Sequence, residues 1–139
     1  MYNDYRLPVG APRNSPWGAV DDAHLLGAGA WWVSTPSHGG LMLDYRWIER
    51  LSKAAQCEGQ VTMGEGKYIA FEEDCAYAIP LFELPELRDL LNAAGSSKQS
   101  ADDIAAIVKR WNPDYCAARE LDASPAPIFA DPRFVLRKQ

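Results

Sequence analysis

Ser34-Thr35-Pro36-Ser37-His38-Gly39-Gly40 places hydroxyls, an imidazole and two glycines in one short run, and Glu72-Glu73-Asp74-Cys75 supplies carboxylates and a thiol. An imidazole transfers protons near neutral pH, and paired glycines let a ligand or another strand approach the backbone closely. His38 with Asp74 or Cys75 would make a small hydrolase or transferase. In the cysteine version, Cys75 attacks as a thiolate near a helix start and His38 takes its proton. The three acids before Cys75 oppose thiolate formation, and a packed, inert cysteine is the ordinary state of such a residue.

The same groups could ligate a metal, His38 joining Glu72, Glu73 or Asp74. The other histidine, His24, falls on an expected strand with no second ligand at a recognised spacing, so neither a metal nor a cofactor is expected. The Ser34, Thr35 and Ser37 hydroxyls could hold an anion with the Gly39 and Gly40 amides. The run lacks the spaced glycines and terminal lysine of a phosphate loop, and hydroxyl-to-backbone turn bonds are its commoner use. These residues locate a candidate site without fixing a reaction.

The elements that must position them follow from periodicity. Residues 1–16, with Pro8, Gly10, Pro12 and Pro16, read as a flexible N-terminal arm; residues 17–121 form one domain; residues 122–139 read as an extended C-terminal tail. Ala19–Leu26 and Ala30–Thr35 are strand-like around Gly27-Ala28-Gly29, a hairpin, and Leu41–Leu43 is a third short strand. Asp44 suits an N-cap for a helix reaching Ala55, with Trp47, Ile48, Leu51 and Ala55 on one side. Tyr68–Phe71 has strand composition. A helix is expected from Asp74 to Ile79, limited by Pro80, with its acids at the positive end. Pro85 opens another that Gly95 ends, Ser100 and Asp103 cap a helix carrying Ile104, Ile107, Val108 and Trp111, and Asn112-Pro113 breaks it. Strands followed by helices predict an α+β fold: a small antiparallel sheet, the N-terminal hairpin plus one or two strands, packed on one face against three or four helices.

A chain of 139 residues buries roughly 65–70% of its unfolded surface, enough for a true core. No apolar run approaches the ~20 residues of a membrane-spanning helix, and the N-terminus lacks the pattern of a signal peptide, so a cytoplasmic protein without a membrane partner is expected. Cys57, Cys75 and Cys116, an odd number at wide spacing, read as reduced thiols. The formal charge of -5 argues against direct nucleic-acid binding, which depends on clustered Lys and Arg. Such a charge either confers solubility or docks on a basic partner. Adjacent Trp31 and Trp32 point to opposite faces of a strand, so the outward one is a contact anchor unless the arm or a loop covers it.

Ser15-Pro16-Trp17-Gly18, Val33-Ser34-Thr35-Pro36-Ser37-His38-Gly39-Gly40 and Glu72-Glu73-Asp74-Cys75-Ala76-Tyr77-Ala78 form, in this order, a pattern that resembles a family of uncharacterised domains of bacteriophage and mobile-element proteins, over roughly residues 15–94. The resemblance carries no activity with it. It nominates Trp17, His38, Gly39, Gly40, Glu73, Asp74 and Cys75 as a shared site or structural knot, and leaves the segment after Gly95 as particular to this chain. A mobile-element setting implies a non-enzymatic inhibitor of a host defence nucleoprotein complex, comparable to anti-CRISPR proteins. Its expected partner is a host protein or nucleoprotein complex with a basic surface. Asp21, Asp22, Glu72, Glu73, Asp102 and Asp103 would oppose the partner's cations, with Trp31, Trp32 and His38 contributing contacts.

Overall fold

The computed structural model describes residues 7–62, 67–95 and 98–121, so the expected tail of residues 122–139 lies outside the described residues. The fold is α+β. A two-stranded hairpin, β1 (Asn14–Ser15) and β2 (Gly18–Ala19), precedes β3 (Asp22–Gly27), β4 (Ala30–Ser34) and β5 (Gly39–Leu43). Two short helices follow, α1 (Tyr45–Ile48) and α2 (Lys53–Cys57), then β6 (Gln60–Val61) and β7 (Ile69–Glu72). The chain continues through α3 (Ala78–Glu83), α4 (Pro85–Ala94), α5 (Ala101–Trp111) and α6 (Pro113–Ala118). Strands β3 to β7 form one antiparallel sheet in the order β3-β4-β5-β7-β6. It is broader than expected because β6 adds an edge.

Strand alternation divides the core in two. On one face Ala30, Leu41, Leu43 and Phe71 pack with Trp47, Ala78, Ile79, Leu81, Leu87, Ile104, Val108 and Tyr115 from the helices. On the other, Ala23, Trp31, Val33, Met42 and Ala70 meet Val20 and Tyr68, with Leu7, Ala11 and Trp17 against them. The single covered face expected from sequence is therefore corrected to two. The segment read as an arm supplies the second cover: Pro12 is fully buried, and the Tyr68 hydroxyl donates to the Gly10 carbonyl at 3.3 Å. Ser15-Pro16-Trp17-Gly18 is its tight turn. The Ser15 hydroxyl donates to the Gly18 carbonyl at 2.8 Å and accepts from the Trp17 amide at 3.1 Å, while Gly18 has φ +120.

Two helices differ from their sequence reading. Asp44 does cap α1, accepting from the Arg46 amide at 3.0 Å, but the helix stops at Ile48 and a second one starts at Lys53, capped by Ser52. Glu83 holds the Ser52 amide at 2.8 Å, and the Gln56 side-chain amide donates to the Ile48 and Leu51 carbonyls at 3.0 and 3.1 Å. These bonds replace the ladder that a continuous helix would have made. Residues 73–77 are a turn, and the helix expected there begins instead at Ala78. Pro80 does not end it; in the first turn its missing N–H removes no intrahelical bond. The cap of α5 is as expected: Ser100 and Asp103 form a capping box.

The β5 and β7 pairing decides where the site lies. A side chain at Gly40 would set its Cβ 2.3 Å from the Phe71 carbonyl oxygen and 2.9 Å from the Trp17 ring, and no rotamer change moves a carbonyl away. Gly40→Ala is therefore expected to cost about 1–3 kcal/mol, the usual range for overpacking. Denaturant unfolding checks it; a midpoint equal to that of the wild type would show that the strands separate without strain.

Candidate functional site

Strand register brings the sequence runs together. Asp22 lies opposite Ser34, Ser34 opposite Gly39 and Gly40 opposite Glu72, while the Glu73 amide donates to the Gly39 carbonyl at 3.0 Å. Residues 21–22, 34–39 and 72–74 thus share one end of the sheet. The loop carrying His38 is fixed by Thr35: its hydroxyl donates to the His38 carbonyl at 2.8 Å and accepts from the His38 amide at 3.1 Å, and the Thr35 amide donates to the same carbonyl at 2.7 Å. For Thr35 these are the turn bonds that the sequence reading favoured for the loop hydroxyls.

On this frame the ligand atoms of His38, Glu72 and Asp74 lie within 4.8 Å of one another, with His38 Nδ1 3.6 Å from a Glu72 carboxylate oxygen. Trp17, His38, Glu58, Gln60, Glu72 and Ala76 line a cleft of about 250 Å³ beside them. The Cys75 sulfur is not among the gathered atoms, and its carbonyl accepts from the Asn112 side chain at 3.1 Å. Glu73 is exposed; with Asp74, Trp32, Tyr77 and Gln99 it borders a second cleft of about 480 Å³. A His-carboxylate set of this kind can exchange a proton, hold a cation or meet a basic group.

The remaining candidates separate. Asp21 and Asp22 are exposed at the same sheet end. Trp31 is only 4% exposed beneath the N-terminal segment, which corrects its reading as a contact anchor. Trp32 is half-buried, edge-on to Tyr77 at 5.6 Å, and keeps part of its surface in the second cleft. Asp102 and Asp103 are exposed on the first turn of α5, outside the His38 cluster, and the Asp103 carboxylate accepts the Ser100 amide at 2.9 Å. His24 lies on β3, the strand expected for it, and is exposed.

The family model for the Domain of unknown function DUF7007 matches residues 10–128. The chain belongs to this family. Its span runs from before the β1–β2 hairpin to beyond α6, wider than residues 15–94, so α5 and α6 are part of the DUF7007 domain rather than an addition particular to this chain. No curated protein and no solved structure matches the chain. Among the described residues no helix is long and apolar enough to cross a membrane.

A second polar centre escaped the sequence reading because its members are far apart in the chain. The Glu83 carboxylate accepts from the Ser52 amide at 2.8 Å, the Ser52 hydroxyl at 2.5 Å and the Tyr115 hydroxyl at 2.6 Å, and pairs with Arg119. Arg119 also donates to the Tyr115 oxygen at 3.0 Å. Burial pushes the Glu83 carboxyl up, but the Ser52 and Tyr115 hydrogen bonds and the Arg119 charge outweigh it and hold the group below its ordinary 4.5. Burial and the Glu83 charge push the Tyr115 phenol well above its ordinary value. The sequence reading ran one helix through Ser52, so no part of this network was visible in advance. The network joins α2, α3 and α6, a structural latch.

A carboxyl held below its unfolded value stabilises the fold above about pH 4.5, and that contribution is lost as pH falls through the lower folded value. Glu83→Gln should cost about 1–3 kcal/mol at pH 7, as expected for unsatisfied donors around a lost carboxylate. Its deficit against the wild type should shrink below pH 4.5. Thermal melts of both proteins from pH 7 to pH 3 test this, and a pH-independent gap would remove Glu83 from the acid response.

Proposed function

We propose that this domain is a non-enzymatic binding protein that presents the acidic end of its sheet to a basic surface on another protein. The observation that supports it is the register of β3, β4, β5 and β7, which collects Asp21, Asp22, Glu72, Glu73 and Asp74 at one end. Like charges at such spacing repel in the isolated protein, and a partner's Lys and Arg relieve that repulsion while steering association. Half-buried Trp32, in the cleft beside Glu73 and Asp74, supplies aromatic surface next to the charge. In a bacteriophage or mobile-element setting, the partner is a host defence nucleoprotein whose basic groove otherwise holds nucleic acid, and occupation by the acidic end blocks access.

A second reading is a hydrolase or transferase acting through His38, favoured by the gathering of His38 and Asp74 in one cluster. It predicts that His38→Ala abolishes turnover of a substrate while the fold survives. The binding reading is tested by affinity capture from host lysate, using wild-type protein and an Asp21→Asn/Asp22→Asn/Glu73→Gln variant at low and high salt. The expected result is a partner whose nucleic-acid binding the wild type inhibits. It should be released by high salt, since the Debye length falls from about 10 Å at 0.1 M to about 3 Å at 1 M, and should escape the variant. Retention by the variant, or no partner at low salt, overturns the reading.

A further inference from the structure

We infer that His38, Glu72 and Asp74 form a binding site for one divalent first-row transition-metal ion. The geometry carries this beyond the acidic face on which the binding role rests. At 3.6 Å, His38 Nδ1 and the Glu72 oxygen are too far apart for a hydrogen bond. Two ligands about 2.0–2.1 Å from a shared tetrahedral ion stand roughly 3.3–3.4 Å apart, close to the separation found here. The third ligand atom, from Asp74, lies within 4.8 Å of both. Small side-chain adjustments bring the three onto a common centre.

Hydrogen bonding points the same way. Apart from the His38 ion pair to Glu72, no hydrogen bond to the Glu72 or Asp74 carboxylate is found among the described residues, whereas Glu83 accepts from several donors. Carboxylates beside an imidazole nitrogen are a donor set that a cation completes. The backbone is already in place: Thr35 pins His38 on both its amide and its carbonyl, and the pairing of Gly40 with Glu72 fixes the second ligand. Metal binding would thus order three side chains without reorganising the loops.

The donors also select the metal. Neutral imidazole favours Zn²⁺, Fe²⁺ or Ni²⁺ over Mg²⁺ and Ca²⁺, while two carboxylates balance the charge of a divalent ion. Three protein ligands leave a coordination position for water or an oxygen of a bound molecule, and two of them, His38 and Glu72, line a cleft with Glu58 and Gln60. The sequence offered these residue types as possible ligands but not which carboxylates join His38, because Glu72 and Asp74 are 34 and 36 residues away from it, outside any local ligand spacing.

Zn²⁺ titration of the full chain by calorimetry, with metal content after dialysis and a thermal melt, tests the site. Cys57→Ser is used throughout, since its exposed thiol could take up zinc independently. The expected result is one Zn²⁺ per chain, a raised melting temperature, and affinity more than about tenfold weaker in His38→Ala and in Asp74→Asn, given that even outer partners of a metal site cost 10–100-fold. Asp21→Asn/Asp22→Asn, at the same sheet end but outside the ligand set, should bind as the wild type does. Absence of stoichiometric binding overturns the site, as does binding undiminished in both ligand variants. Mg²⁺ competing on equal terms overturns the metal class. Should His38→Ala not fold, Asp74→Asn on its exposed turn decides the outcome alone. The Asp21/Asp22 control separates loss of this site from failure of the acidic face to bind a partner.

Discussion

Gly40 lies so close to the Phe71 carbonyl and the Trp17 ring that no side chain fits between them, and this close approach couples three otherwise separate pieces of chain. It seats the β1–β2 hairpin on the sheet, draws β7 against β5, and, with Glu72 paired opposite Gly40, brings Glu72 to the strand end beside the loop that carries His38. Backbone contact at one point thereby fixes side-chain chemistry several residues away. Glycine here is a spatial requirement rather than a source of flexibility. The same logic explains why the runs around Trp17, His38 and Glu72 stand out in the sequence: each contributes a turn or strand end to one junction.

The two polar centres show how differently a protein can treat carboxylates. Glu83 is enclosed by donors, and the hydrogen bonds and Arg119 charge that lower its pKa also hold α2, α3 and α6 in position. Such a group resists exchange of partners, because removing one donor leaves the largely buried carboxylate poorly satisfied. Glu72, Glu73 and Asp74 stand where the sheet ends and the chain turns, half-buried or exposed. At such open positions a cation or a basic partner reaches them at modest desolvation cost. The internal latch suits stability, and the rim suits binding.

Much of this organisation was legible in local sequence, and the reasons are physical. The β3–β4 hairpin, the short strand around Leu41–Leu43, the Pro85 start of α4 and the Ser100/Asp103 box of α5 are set by propensity and capping within a few residues. What local patterns could not reveal depended on distant partners. Nothing near Ser52 announces that Glu83 will take its amide and interrupt a helix. Nothing near Trp31 announces that residues 7–20 will fold back over it. Strand content within residues 60–61 is too brief to register as a period, so the sheet came out broader than expected.

The candidate site marks the same boundary between local and nonlocal information. His38 and the acidic run were visible as residue types, but their value depends on which carboxylates reach the imidazole, and that is a question of register. Strands β5 and β7 pair with Gly40 opposite Glu72, while the alternation of side chains sends neighbouring positions to opposite faces. A slip of one residue would send Glu72 to the helix face and put Phe71, now buried in the core, opposite Gly40 on the other. The hydrophobic penalty for that slip, roughly 1.5–3 kcal/mol for each large side chain left exposed, protects the alignment. The core therefore specifies the polar site: Phe71 and Leu41 must face the helices, and in doing so they fix Glu72 on the side where His38 and Trp17 border the same cleft.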